Sequence, residues 1–163
     1  MHELLEAVRQ WAASTPGSWQ WLAVMAGGAL PFVESYYGSV IGILVGISPW
    51  AAIPAAVAGN IASTAGVILW ASRRRSPHAT PDDPSRSPRG VFKDRRLQRR
   101  FEKFGVPGVC LGSQVLLPSQ LTAVALVRVG AEPRRVLAWQ ALSITAWGLG
   151  YGNLAAMGVA LLG

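Results

Sequence analysis

The chain has 163 residues, of which 51% are hydrophobic and only 14% are charged. This charged fraction is about half that of an ordinary soluble domain, so the composition argues against a water-soluble protein and favours one that buries apolar side chains in lipid. The net charge of +7 is local, because eleven of the fifteen Lys and Arg lie between Arg73 and Lys103.

The sequence lacks the motifs that would indicate an enzyme or a metal site. It contains no HExxH, P-loop or GxSxG pattern, and its single cysteine, Cys110, excludes an internal disulfide or a CxxC site. Long apolar segments flank the basic stretch, which favours a cytoplasmic loop facing anionic lipid over nucleic-acid binding. We therefore expect no enzyme activity, no cofactor, no metal and no nucleic-acid partner.

Residues 1–17 predict an amphipathic helix on the membrane surface. Apolar residues recur at helical spacing between positions 4 and 12, but the segment is too short and too charged to cross a membrane. Glu3 and Glu6 stand where a secretory signal would carry basic residues, so we expect the start of the chain to be retained.

Residues 18–47 predict a re-entrant hairpin. Its two apolar stretches are separated by Pro31, and each is shorter than the roughly 20 residues of a complete span. Broken backbone at membrane depth must be buried in protein or line a polar cavity. Since Glu34 lies beside the break, we expect the hairpin tip to form a site.

Residues 50–72 predict the first complete transmembrane helix, which ends a first repeat over residues 18–75. The segment has no charge, carries Trp near both ends and is followed by three Arg. Asn60, near its middle, is its one strongly polar residue.

Residues 76–104 predict a basic cytoplasmic linker. Its first part is rich in Pro, Ser and Arg without periodicity, as flexible linkers are. Over residues 92–104, apolar residues follow helical spacing among basic ones. This pattern indicates a helix on anionic headgroups or, alternatively, an ordinary solvated helix.

The order of the first repeat recurs in residues 105–163. Residues 106–130 predict a second re-entrant hairpin with Pro118 at its tip, and residues 136–162 predict a second transmembrane helix. The predicted fold class is therefore all-α integral membrane, with two inverted repeats. Each repeat is a proline-broken re-entrant hairpin followed by one transmembrane helix, and an N-terminal and a basic amphipathic interfacial helix complete the fold.

Two offsets support the repeat and its inversion. The turns at residues 46–49 and 130–133 match at an offset of 84 residues, and Pro31 and Pro118 match at 87. Because each hairpin returns to its own side and each span crosses once, consecutive repeats have opposite orientation, as in many secondary transporters. The positive-inside rule assigns residues 73–103 to the cytoplasm and both termini to the outside of a bacterial-type inner membrane.

Several short motifs resemble those of a known membrane protein family. They are Leu-Pro-Phe-Val-Glu-Ser-Tyr-Tyr-Gly at residues 30–38, Ala-Gly-Asn at 58–60, Phe-Gly-Val-Pro-Gly at 104–108, the Gly-to-Pro segment within 112–122, and Trp147. Their order resembles the DedA-like superfamily, most closely its small multidrug export protein branch.

The resemblance implies a multi-pass inner-membrane protein with two re-entrant hairpins. Its relatives are associated with proton-dependent drug export or with translocation of lipid carriers such as polyprenyl phosphates. DedA proteins proper typically carry arginines around the proline of the second hairpin, whereas the polar residues here are Gln114 and Gln120. This departure argues against recognition of a lipid phosphate.

Glu34 is the leading candidate for chemistry. An ionisable group at bilayer depth is costly unless it is paired or hydrated, so we expect it to be functional, as a proton acceptor. The alternative is a structural carboxylate that reaches the interface or pairs with Arg128. Tyr36 and Tyr37 would offer an aromatic wall to a lipophilic cation beside it.

The other candidates are one cation and three amides. Arg128 either extends to the cytoplasmic surface or pairs with Glu34 or with an anionic headgroup. Asn60, Gln114 and Gln120 suit substrate contact or simple cross-linking of helices. Gln120 lies close after the second hairpin proline, and we expect it to be the counterpart of Glu34 in the second repeat.

These features predict a small secondary transporter that exports a cationic or amphipathic small molecule in exchange for protons at Glu34. The alternatives are a DedA-like translocase of a lipid carrier and a membrane scaffold whose basic linker recruits a partner. Two spans offer few walls for a cavity, so we expect a homodimer surrounded by membrane lipids.

Overall fold

The computed structural model describes Gln10, Ser14 and residues 16–74, 95–114 and 117–162. Within these residues the secondary structure is helical and contains no strand, which confirms the predicted all-α class. Most of the predicted N-terminal helix and of the basic linker lies outside the described residues. The helices are α1 (Gly17–Gly28), α2 (Glu34–Leu44), α3 (Pro49–Arg73), α4 (Arg95–Ser113), α5 (Ser119–Arg128) and α6 (Pro133–Leu162).

The chain forms two compact units that share α3 and α6. Unit 1 contains α1, α2, α3 up to Ile61, and α6 from Ile144 onward, and unit 2 contains the remainder. The core of unit 1 consists of Val24, Ile43, Ile47, Ala52, Ile53, Ala55 and Ala56. The core of unit 2 consists of Ile68, Ala71, Val106, Val109, Cys110, Ala123, Leu126, Val127 and Val136.

Helix α4 bends at Gly105, whose φ of 63° and ψ of −152° lie outside the helical region. Glycine adopts this backbone conformation without the clash that a Cβ would cause, and Pro107 is suited to the first turn of the helical segment that follows. The bend therefore divides α4 into a basic segment and an apolar segment, at the boundary predicted between the linker and the second hairpin.

Two turns with the same hydrogen bonds precede α3 and α6. In the first, the N–H groups of Gly46 and Ile47 close the last turn of α2 with bonds of 3.0 Å. Gly130 and Ala131 close α5 in the same way with bonds of 3.1 and 3.0 Å, 84 residues later. Both glycines have positive φ, 95° and 103°, as a Schellman helix end requires, and a proline begins the next helix in each case.

Buried positions recur at the same offset of 84 residues. In α3 and α6 the offset pairs five buried positions at four-residue spacing, which begin at Ala52 and Val136. The two halves of the chain therefore fold in one helical register, although few of the paired residues are alike. Between α2 and α5 the offset pairs Ser35, Gly38, Ser39, Gly42 and Ile43 with Ser119, Thr122, Ala123, Leu126 and Val127, all of them buried.

The two hairpin tips differ in length. Three residues separate Pro31 from Ser35, whereas Ser119 follows Pro118 directly. The larger offset between the two prolines thus reflects three additional residues in the first tip. Glu34 is one of these residues, and in the helical register of the second half its position is taken by Pro118.

Among the described residues, one helix, α3, is long and apolar enough to cross a membrane. The second predicted span lies within α6, which is longer at 30 residues. Helix α6 is also more polar, because it contains Gln140, Ser143 and Asn153.

In unit 1, α1 and α3 approach so closely that two glycines are required. A Cβ added at Gly28 would overlap the carbonyl oxygen of Ala56, and a Cβ added at Gly59 would overlap that of Met25. Small residues permit this backbone contact between helices. The contact fixes α3 against α1 at the residue that precedes Asn60.

We expect Gly59→Ala to lower the free energy of unfolding in detergent by about 2 kcal/mol or more, because the added methyl forces α1 away from α3. Gly66→Ala on the same helix is the matched control, since a Cβ there meets nothing within 4 Å. Alanine favours a helix over glycine by about 1 kcal/mol, so the control should be neutral or stabilising. Thermal unfolding measures both, and equal losses would contradict the packing of α1 on α3.

Candidate functional site

Glu34 and Asn60 form a buried hydrogen-bonded pair in unit 1. Glu34 is the first residue of α2, and both side chains are 0% exposed. Asn60 Nδ2 donates to Glu34 Oε2 at 2.9 Å and joins residues that are 26 positions apart. Two residues that the sequence selects separately, an acid at a hairpin tip and the polar residue of a span, are thereby brought into one site.

The backbone at this tip is strained. Phe32 and Glu34 have φ values of 70° and 58°, in the left-handed region that costs a non-glycine residue about 1 kcal/mol or more. The N–H of Glu34 donates to the Leu30 carbonyl at 3.1 Å, which closes the tip. This conformation turns the carboxyl toward Asn60 and exposes Phe32 on the surface.

Two dipoles stabilise negative charge on Glu34. The carboxyl lies in the first turn of α2, where the helix dipole favours an anion, and the Asn60 amide donates directly to it. Glu34 is the one charged residue of unit 1 within residues 16–61 and 144–162. The electrostatic character of the described part of unit 1 is therefore set by this side chain.

Hydroxyl groups beside Glu34 fix α2 to α6 within unit 1. Ser35 Oγ donates to the Ile144 carbonyl at 2.8 Å, and Ser39 Oγ donates to the Ser35 carbonyl at 2.6 Å. A Cβ at Gly148 would lie 3.2 Å from the Ser35 Cβ, so α6 approaches closely at this point. The residue next to the carboxyl is thus held on both its side chain and its backbone.

Four aromatic rings, which we call the aromatic cluster, lie beside Glu34 in unit 1. They are Tyr36, Tyr37, Trp147 and Tyr151. The ring centroid of Tyr36 is 4.7 Å from that of Tyr37, 6.5 Å from Trp147 and 5.5 Å from Tyr151. Those of Trp147 and Tyr151 are 5.7 Å apart, and the Tyr36 hydroxyl interacts electrostatically with the Glu34 carboxyl. An aromatic surface therefore adjoins a buried acid.

Unit 2 contains a different set of polar groups, the amide–hydroxyl cluster, which consists of Ser63, Thr64, Ser119, Gln120 and Gln140. Gln120 Nε2 donates to Ser63 Oγ at 2.9 Å, and the hydroxyls of Thr64 and Ser119 lie 3.1 Å apart. Gln140 Nε2 donates to the Ser119 carbonyl at 3.4 Å. These bonds join α5 to both long helices through uncharged groups.

Two buried polar atoms of unit 2, Thr122 Oγ1 and Gln140 Oε1, have no hydrogen-bond partner among the described residues. Thr122 is 1% exposed and Gln140 is 0% exposed. A buried polar atom left without a partner costs about 1 to 3 kcal/mol, and such atoms are commonly satisfied by ordered water. The interior of unit 2 therefore has unused capacity for hydrogen bonds.

The remaining predicted site residues are distributed as follows. Arg128 is exposed in the last turn of α5, and Gln114 is buried just after the end of α4. Pro31 is exposed at the first tip, and Pro118 is buried at the second. Of the predicted residues, the structure brings Asn60 to Glu34.

Gln120 differs from the expected counterpart of Glu34. In the register of the buried positions it corresponds to Tyr36, since 84 residues separate them, and Pro118 corresponds to Glu34. The prediction measured position from the two prolines. The three additional residues of the first tip shift that measure by nearly one helical turn.

No protein-family model, curated protein or solved structure matches this chain. The resemblance of its motifs at residues 30–38 and 58–60 to a membrane protein family therefore depends on sequence pattern alone. Function follows from the geometry of a site more than from a fold, and Glu34 with its surroundings is the site that the chain offers.

Sequence reasoning missed the residues that surround the predicted ones. Ser35 and Ser39 at four-residue spacing lie on the face of α2 that carries Glu34, and this spacing was available as a signal. Trp147 and Tyr151 have the same spacing on α6, but their contact with Tyr36 joins distant segments. No local pattern indicates such a contact.

The chemistry open to this site is exchange of a proton and binding of a cation. Glu34 is the group that titrates, and Asn60 both donates and accepts hydrogen bonds. Among the described residues, no group of three or more His, Cys, Asp or Glu could hold a metal ion.

We expect Asn60→Ala to lower the free energy of unfolding by about 2 to 3 kcal/mol, because it removes the donor from a buried carboxylate. Asn153→Ala is the matched control, since Asn153 is exposed and its amide donates to Leu149 of its own helix. Thermal unfolding in detergent measures both variants.

A double-mutant cycle identifies the charge as the cause of this loss. In a Glu34→Gln background, Asn60→Ala should cost less, because a neutral amide is easier to bury than a carboxylate. An equal cost in both backgrounds would show that Asn60 stabilises the fold without acting on Glu34.

Proposed function

We propose that this chain is a small secondary membrane transporter that exports a cationic or amphipathic small molecule, with Glu34 as the group that exchanges protons. The proposal includes membership of the small multidrug export branch of the DedA-like superfamily, which its motifs resemble. Its main support is the pairing of a fully buried carboxyl with a neutral amide.

The choice of Asn60 as partner suits a proton carrier. When Glu34 is ionised, the amide N–H₂ donates to the carboxylate, as observed at 2.9 Å. When Glu34 is protonated, a rotated amide accepts from the carboxyl O–H through its own oxygen. The pair is therefore satisfied in both protonation states, whereas a Lys or Arg partner would become an unpaired buried charge.

The distribution of polarity supports a membrane setting. Exposed large apolar side chains include Trp50 at 91%, Leu161 at 83% and Phe32 at 68%. Buried side chains, by contrast, include many polar ones: Glu34, Ser35, Ser39, Asn60, Thr64, Ser119, Gln120, Gln140 and Ser143. Apolar outside and polar inside is the arrangement that lipid favours, because polar groups there must be satisfied within the protein.

The charges at helix ends support an orientation. Helix α3 ends in Arg73, α5 carries Arg128 in its last turn, and α6 begins with Arg134 and Arg135 after its first proline. All of these side chains are exposed. The positive-inside rule assigns these ends of unit 2 to the cytoplasmic surface, in a multi-pass inner-membrane protein with both termini outside.

Transport also needs two access states and a cavity. The recurrence of turns and buried positions at an offset of 84 residues is consistent with inverted repeats whose rocking gives alternating access. A chain with α3 and α6 as its two long helices offers few walls, so the proposed functional unit is a homodimer.

A translocase of a lipid carrier such as a polyprenyl phosphate is the weaker candidate. A phosphate held within a membrane protein needs a cationic partner. Every Arg and Lys whose exposure is described, Arg128 among them, is exposed.

Glu34→Gln should reduce transport of ethidium driven by a pH gradient in proteoliposomes at least tenfold, because the amide cannot exchange a proton. Glu34→Asp should retain activity in part, since it keeps the carboxyl and shortens its reach. Fluorescence of ethidium and of an internal pH dye measures both fluxes.

Glu132→Gln is the matched control for the loss of one acid, because Glu132 is exposed before α6. It should transport as the unmodified chain does. Circular dichroism and gel filtration in detergent verify that Glu34→Gln is folded. A folded Glu34→Gln variant with unchanged pH-driven flux would overturn the proposed role.

A further inference from the structure

The aromatic cluster is a partly open surface in unit 1. Tyr37 is 51% exposed and Tyr151 is 39% exposed, while Tyr36 and Trp147 are partly buried between them. Their interplanar angles lie between 38° and 59°, so the rings are tilted to one another and do not form a flat stack. Tilted rings form a recess in which several ring faces meet a single ligand.

The frame of the fold does not require these rings. At an offset of 84 residues, Tyr36 corresponds to Gln120 and Trp147 corresponds to Ser63, which form a hydrogen bond of 2.9 Å in unit 2. The Tyr36 and Trp147 rings, with centroids 6.5 Å apart, thus occupy positions where the other half of the chain has an amide and a hydroxyl. Because the same helical register closes with small polar groups in unit 2, packing alone does not explain the rings in unit 1.

Charge complementarity identifies the kind of ligand. Tyr36 and Tyr37 follow Glu34 by two and three residues on α2, and Glu34 is the one charge of unit 1 among residues 16–61 and 144–162. The faces of aromatic rings attract cations through their quadrupole, most strongly where water is excluded. A buried carboxylate next to aromatic faces therefore selects for positive charge.

We propose that the aromatic cluster and Glu34 form the binding site for an organic cation whose charge is spread or shielded by apolar groups, such as a quaternary phosphonium or ammonium. This inference rests on the proposed function in taking Glu34 as the group that the cation and the proton share. Trp147 and Tyr151, on α6, are the specificity residues that it adds.

A shielded cation fits these rings better than a small inorganic ion. Rings cannot replace the water of a strongly hydrated cation, whereas a quaternary ion carries little bound water and presents apolar surface to each ring. The exposed sides of Tyr37 and Tyr151 would face lipid in the proposed setting, which such a ligand enters readily.

The test measures binding of tetraphenylphosphonium to the purified full chain in detergent by equilibrium dialysis, with protein-free micelles subtracted. Tetraphenylborate, of the same shape and opposite charge, is the matched ligand control. We expect tetraphenylphosphonium to bind at least tenfold more tightly than tetraphenylborate. Equal binding of the two would show an apolar surface without charge selection and would overturn the proposal.

Variants test the rings separately. Tyr151→Leu and Trp147→Leu should each weaken tetraphenylphosphonium binding by roughly 2- to 30-fold, the range for one cation–ring contact. Tyr151→Phe keeps the ring and should bind normally. Trp50→Leu, at an exposed Trp of unit 1 outside the cluster, is the matched control and should also bind normally. Full affinity in folded Tyr151→Leu and Trp147→Leu would overturn the proposal.

Glu34→Gln separates this inference from the proposed function. If ring variants bind normally while Glu34→Gln abolishes pH-driven flux, the aromatic site is wrong and proton exchange stands. If binding depends on the rings and Glu34→Gln leaves pH-driven flux unchanged, the site stands and the proton carrier is wrong.

Discussion

A carboxyl group buried among helices is the constraint on which the first unit depends. Glu34 has no exposed surface and accepts a hydrogen bond from Asn60, so the hairpin tip and the middle of α3 must meet. That meeting requires the close backbone contact of α1 with α3 at Gly28 and Gly59. It also requires left-handed backbone at Glu34 itself. Packing, strain and charge are thus three aspects of one arrangement.

The chain uses one helical frame twice and gives it two chemistries. Turns, helix starts and buried positions recur 84 residues apart, yet unit 1 has an acid and four rings where unit 2 has amides and hydroxyls. The difference begins at the tip, where three additional residues in the first half introduce Glu34. A frame held by backbone contacts tolerates such exchange, because its stability depends little on which side chains fill the tip.

The fold class followed from sequence because helix length, apolar content and punctuation by Gly and Pro are local properties. Glu34 and Asn60 were both recognisable as polar residues isolated in apolar segments. The correspondence of Gln120 with Glu34 was wrong in register, because prolines mark where a helix breaks and do not fix how its buried face is aligned. Contacts among the rings were also beyond prediction, since Trp147 is more than a hundred residues from Tyr36 along the chain.

By itself, the sequence determined that this chain is helical, where its hairpins turn, and that its one acid within apolar sequence lies at a tip. Those features arise from residues close together in the chain, through backbone geometry and apolar periodicity. Only the tertiary structure decided that Asn60 donates to that acid, that α6 brings rings to it, and that Arg128 lies exposed. Each of these depends on which helix faces pack together, and side-chain shape and close approach at glycines determine that packing across long separations.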